Sequence, residues 1–169
     1  MLGIHILLAA VLAAFSNALT PMGIVVAAVL VYLVMKLGAG LMGIRGYVRR
    51  VELGIGFGFW FAWEVVRASL DVARVVFGLN RKPRPAIVTV RLLRRDERLA
   101  TLIGCLLTLT PGTMAMDYEP ETGLMYVHAL DAETPDGIEA GVREIEARLL
   151  AWIDAGDTPE AAKEKFDDR

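Results

Sequence analysis

The sequence predicts a membrane protein with a small folded domain at its end: an N-terminal transmembrane helical hairpin, an amphipathic or third membrane helix, and then an α+β domain in the order β-α-β-β-α. Three observations predict it. Two apolar segments follow each other at the start, at Leu2–Ala18 and Met22–Ile44. Hydrophobic residues make up 55% of the chain, too many for an ordinary soluble domain of this length. The charge is also laid out in blocks. No Lys or Arg precedes Lys36; 13 basic residues then face five acids between Lys36 and Arg98, and from Asp117 onward 15 acids face five bases. A membrane-surface zone followed by an acidic, water-facing end gives that pattern.

The first two segments are apolar apart from His5, Ser16 and Asn17 in one and Lys36 in the other. As helices they would cover roughly 26 and 34 Å, close to the hydrocarbon core of about 30 Å. A cleaved signal peptide is the rival for Leu2–Ala18, but the positively charged start is missing and another apolar segment follows at once. Residues 1–44 are therefore read as the hairpin. Lys36 lies near the end of its helix and is expected to extend to the interface.

Residues 45–80 form the next segment. Leu53–Trp63 is apolar but too short to cross a bilayer. Glu64, Arg67, Asp71 and Arg74 then recur at spacings of three and four, one face of a helix. Glu64 and Arg67 are expected to begin a local ion-pair ladder. Trp60 and Trp63 suit a membrane interface. Two placements stay open: a helix lying in the headgroup plane, or a third span with its charged stripe turned to a partner protein. Arg45, Arg49 and Arg50 before it, and Arg81, Lys82 and Arg84 after it, favour the first, with both flanks cytoplasmic. The basic run Arg81–Arg98 is assigned to anionic lipid rather than nucleic acid. Gly54, Gly56 and Gly58 read as small residues for close helix packing.

From residue 85 to 153 the pattern is that of a folded domain. "AIVTVRL" is a β-branched strand. "DERLATLIGCLL" places Leu99, Leu102, Ile103, Leu106 and Leu107 at helical spacing. Pro111-Gly112 in "TPGT" suits the centre of a type II turn. "MAMDY" and "LMYVHALD", joined by "EPETG", form a hairpin. Thr134 and Pro135 open a last helix as cap and first residue, with Ile138, Val142, Ile145, Leu149 and Trp152 as its apolar stripe. Residues 154–169 read as a polar flexible tail.

No catalytic constellation, cofactor fingerprint or metal-ligand spacing is found, so neither enzyme chemistry nor a bound cofactor is expected. The single cysteine, Cys105, excludes an internal disulfide framework. His128 is read as a structural histidine whose side chain points with Tyr126 and Leu130, and Asp131 as a maker of turn hydrogen bonds. Glu64 is the one candidate for an ion path, since a carboxylate in a membrane helix is functional by default.

"LLTLTPGT", followed after one short hairpin by "LMYVHALD", resembles the E subunits of the multisubunit Mrp-type Na⁺/H⁺ antiporters, also called Mnh or Pha. The likeness covers residues 1 to about 153 and is most specific over Thr101–Asp131. Leu109, Thr110, Pro111, Gly112 and Thr113 form one family element, and Val127, His128, Leu130 and Asp131 belong to the other. One departure is Gly104-Cys105, where the family usually has an Ala-Asn pair. The resemblance implies a multi-pass protein of the bacterial inner membrane with its C-terminal domain in the cytoplasm. It also implies assembly with the A, B, C, D, F and G subunits into a complex exchanging Na⁺ or K⁺ for protons. An accessory, stabilising role is expected. The alternative is a free-standing membrane-anchored module whose α+β domain recruits a soluble partner.

Overall fold

The structure is a computed structural model that describes residues 1–41, 43–78, 83–131 and 135–156. The expected cap at Thr134, the basic residues Arg81 and Lys82, and nearly all of the predicted tail lie outside them. The chain divides into two compact units, one containing Met1–Ile55 with the chain from Trp152 onward, the other Gly56–Ala151.

In the first unit, helix α1 (Leu2–Phe15) is followed by α2 (Pro21–Gly38). Ala9 and Ala13 of α1 are buried together with Ala27 of α2, where small side chains let the two backbones approach. The sequence predicts 17 residues for the first helix; the structure has 14, about 21 Å long. The helix stops because Asn17 turns the chain with a left-handed φ of 55°. Thr20 then caps α2, its hydroxyl accepting from the Gly23 amide at 3.1 Å, and Pro21 takes the first helical position. Among the described residues, Pro21–Gly38 alone is long and apolar enough to cross a membrane, and only 11% of it is buried by the chain itself. That separates it from the core helix of a soluble fold, whose apolar faces are covered.

Helix α3 (Arg45–Val76) continues unbroken for 32 residues. Its start packs on the end of α2 through Met35, Ala39, Ile44 and Val48. Of the three alternating glycines, only Gly54 serves close packing: a Cβ there would lie 2.7 Å from Trp152 Nε1, whereas Gly56 and Gly58 have open space. Trp152 thus leaves the expected stripe to pack on a glycine.

The second unit holds strand β1 (Ala86–Arg91), helix α4 (Glu97–Leu109), strands β2 (Thr113–Glu119) and β3 (Leu124–Ala129), and most of helix α5 (Pro135–Ile153). This is the predicted β-α-β-β-α order. The sheet order is β1-β3-β2, with both neighbours antiparallel to the central β3. Period-two alternation decides the faces. Val88, Val90, Met125, Val127 and Ala129 point into the core with Leu99, Ile103 and Leu107 of α4 and Val142, Ile145 and Leu149 of α5. Leu102 of the predicted α4 stripe stays exposed. A bulge between Ala115 and Asp117 shifts the register of β2.

A candidate functional site at the TPGT turn

Asp96 starts α4 as its N-cap, accepting from the amides of Arg98 and Leu99 at 2.9 and 3.2 Å. At the other end Thr110 closes the helix. Its amide donates to the Leu106 and Leu107 carbonyls, and its hydroxyl to the Leu106 carbonyl at 3.0 Å. The Thr113 hydroxyl donates to the Leu107 carbonyl at 2.8 Å. Helix-end carbonyls that would otherwise lack partners are thereby satisfied. Between the two threonines the chain turns, with the Thr113 amide on the Thr110 carbonyl at 3.3 Å and Gly112 at φ +92°. A positive φ at the third position is what a type II turn requires.

The two sequence elements meet here. The Leu130 amide donates to the Gly112 carbonyl at 2.8 Å. The next residue, Asp131, accepts the Arg84 amide at 3.1 Å, a contact across 47 residues rather than the local turn bond expected of it. Val127 is fully buried in the core face of β3. His128 lies on the opposite face with Tyr126, and both are half-buried. Leu109 is exposed at the helix end.

A cleft of about 710 Å³ opens beside this turn, lined by the turn residues, by Leu130 and Asp131, by Trp60, Glu64, Asp71 and Val72 of α3 and by Glu144 of α5. The expected Glu64–Arg67 ladder does not form. Arg74 pairs with Asp71 instead, Arg148 with Glu144 at 2.8 Å, and Glu64 faces the cleft with no ion pair among the described residues. The geometric reason is that the Glu64 face of α3 borders the cleft, whereas Arg67 is exposed. Trp60 carries the Arg148 guanidinium 4.3 Å above its ring. The lining offers carboxylates and backbone amides but no nucleophile with an adjacent base, and the described residues contain no group of three potential metal ligands.

Sequence reasoning missed a polar cluster in the first unit. His5 Nε2 lies 2.9 Å from the Ala28 carbonyl and Nδ1 2.6 Å from the Tyr47 hydroxyl. The Tyr32 hydroxyl donates to Glu52 Oε1 at 3.1 Å, and Lys36 pairs with the same oxygen at 2.6 Å. Lys36 therefore has a partner on α3 rather than only the interface. The signal was present as polar residues breaking apolar runs, with Tyr32 and Lys36 one helical turn apart.

Residues 5–166 match the MNHE family, described as Na⁺/H⁺ ion antiporter subunit. The chain belongs to that family. Among its relatives, the probable K⁺/H⁺ antiporter E subunit of Rhizobium meliloti is 30% identical over 126 residues, covering 72% of this chain and 76% of the relative. The Na⁺/H⁺ antiporter E subunit of Alkalihalophilus pseudofirmus is 26% identical over 107 residues, covering 63% and 68%. A chain of the solved Mrp complex from Dietzia is 30% identical, with a TM-score of 0.44 over 57% of this chain and 91% of that one. Membership in this family makes the chain a membrane antiporter component of the E type, as the TPGT and VHALD elements had suggested.

Proposed function

We propose that the chain is an accessory subunit that assembles and stabilises a multisubunit monovalent cation/proton antiporter of the bacterial inner membrane, with the A, B, C, D, F and G subunits and lipid as its partners. The observation that carries this reading is the joint itself. The two elements that mark the family are spent on closing α4, making one turn and fastening the end of β3. Those are structural tasks, and the cleft beside them presents no reactive pair. The apolar surface of α2, left uncovered by the chain, suits lipid and larger subunits. Family membership favours this over the free-standing module.

The proposal includes the N-terminal hairpin in the membrane, α3 at the interface and the α+β domain in the cytoplasm, because Arg45, Arg49, Arg50 and Arg84 flank α3 on both sides. Deleting the chain is expected to lower the amount of assembled complex and its antiport in everted vesicles. Full assembly and full exchange without it would overturn the reading. Cysteines at positions 45 and 84 in a Cys105→Ser background, probed from outside with an impermeant thiol reagent, test the topology. Labelling of one site alone shows that α3 crosses.

A further inference from the structure

Helix α1 carries a single titratable side chain, His5, in an otherwise apolar stretch of 14 residues. An ionisable group in such a helix is expensive to keep in a membrane and points to a use. The structure gives it two partners on two other helices: the Ala28 carbonyl of α2 at 2.9 Å from Nε2, and the Tyr47 hydroxyl of α3 at 2.6 Å from Nδ1. The two bonds are chemically unequal. A backbone carbonyl only accepts, so Nε2 must carry a hydrogen in every state of the ring. That fixes the tautomer and leaves the Nδ1 lone pair as the acceptor of the Tyr47 hydroxyl hydrogen.

We propose that His5 Nδ1 is a proton-binding site, at which a proton taken from the aqueous phase reverses the hydrogen bond to Tyr47 and so makes the contact between α1 and α3 dependent on pH. This rests on the antiporter-component reading for its consequence, adjustment of the complex to pH, but not for the site. When Nδ1 gains its proton it becomes a donor. The Tyr47 oxygen must then accept, and its own hydrogen turns away from the ring. The Ala28 bond persists in both states, so the helix pair α1–α2 stays clamped while the α1–α3 contact changes. No covalent bond other than N–H forms, and the imidazole gains one positive charge.

The surrounding groups are arranged for this. Tyr32 of α2 lies against the imidazole, ring centroids 6.5 Å apart, and Tyr47 meets it edge-on at 5.9 Å. Beyond Tyr32 the charges come as a pair, Lys36 of α2 with Glu52 of α3, and Tyr32 donates to that carboxylate. The arginines at the start of α3 are turned elsewhere: Arg45 lies against Gly40, Arg50 donates to the Ile153 carbonyl and Arg49 is exposed.

The site is tested on the full chain in lipid nanodiscs with nitrogen-labelled histidine. The chain has two histidines, and His128→Gln assigns the other. The expected result is that the His5 Nδ1 signal moves from unprotonated to protonated on acidification, with Nε2 protonated throughout, and that Tyr47→Phe shifts the midpoint. A His5 signal that does not titrate, or one protonated on Nδ1 alone at alkaline pH, overturns the proposal. The second arm uses the whole complex in everted vesicles with His5→Gln, whose amide can donate to Ala28 and accept from Tyr47 but takes no proton. At equal complex abundance, the pH profile of antiport should shift along the pH axis. A superimposable profile makes His5 a structural clamp only and overturns its role in pH adjustment. Undiminished antiport on deletion of the chain would defeat the antiporter-component reading instead, while leaving the titration result standing.

Discussion

The Gly112 carbonyl receives the Leu130 amide at 2.8 Å, while the space a Cβ would occupy on Gly112 lies 3.0 Å from Val72 Cγ2. Glycine is required twice at this position. Its φ of +92° is unfavourable for any side chain, and the approach of α3 leaves a side chain little room. Gly112→Val is expected to destabilise the folded chain by about 1–2 kcal/mol from the backbone alone, and by more with the contact included. Thermal unfolding of the purified chain in detergent checks this. Val72→Ala in the same background should recover part of the loss but never all of it. An unchanged melting temperature for Gly112→Val refutes the assignment of the turn.

Glu146 is fully buried, and its Oε1 accepts the amides of Leu93 and Arg94 at 2.7 and 3.1 Å. Replacing it with Leu leaves both donors without an acceptor and should cost about 1–3 kcal/mol for each one that stays dry. Glu146→Gln retains one oxygen and should fall between Leu and wild type. Denaturant unfolding that ranks Leu level with wild type removes the carboxylate from any anchoring role.

Tyr118 gives a pH dependence. Its hydroxyl is buried without a partner among the described residues, and burial pushes its pKa up. A hydroxyl that ionises less readily when folded leaves stability unaffected below its unfolded value of about 10 and erodes it as pH rises beyond. Tyr118→Phe should flatten that alkaline loss and leave neutral stability equal or higher. Melting temperatures measured across the alkaline range check both halves. An alkaline slope as steep as wild type contradicts the assignment.

Glu64 tests the accessory role. It is half-buried at the cleft and makes no ion pair among the described residues. Glu64→Gln should keep most cation/proton exchange in everted vesicles, with any loss following the amount of complex. A fully assembled variant without exchange would put Glu64 in an ion path.

Local chemistry made most of the α+β domain legible. The strands alternate, Pro-Gly marks the turn, and the hairpin is bounded by "EPETG". These features are decided within a few residues, so they can be read along the chain. Helix lengths in the first unit were overestimated because apolarity continues through Ala18 and Ile44 while hydrogen bonding does not. Asn17 in a left-handed conformation, and the turn after Gly38, end the helices within apolar sequence. At the site, the meeting of TPGT with VHALD was visible only as two neighbouring elements. That Gly112 also faces Val72, forty residues earlier, depends on tertiary packing. Periodicity paired Glu64 with Arg67 by spacing alone, and the cleft decided otherwise. The His5 cluster joins three helices, and no local pattern encodes such a meeting.

Glu146 also sets an order of events during synthesis. The amides it holds belong to residues 52 and 53 positions earlier, so this anchor is added only when α5 has left the ribosome, after the bond of the Leu92 amide to the Gly123 carbonyl can form. Helices α1 and α2 are made long before. A polypeptide that stops short of α5 therefore has its N-terminal helices complete but its domain unfinished and open to proteolysis. Completion of the domain is thus registered at α5, and only copies that carry it present a finished surface.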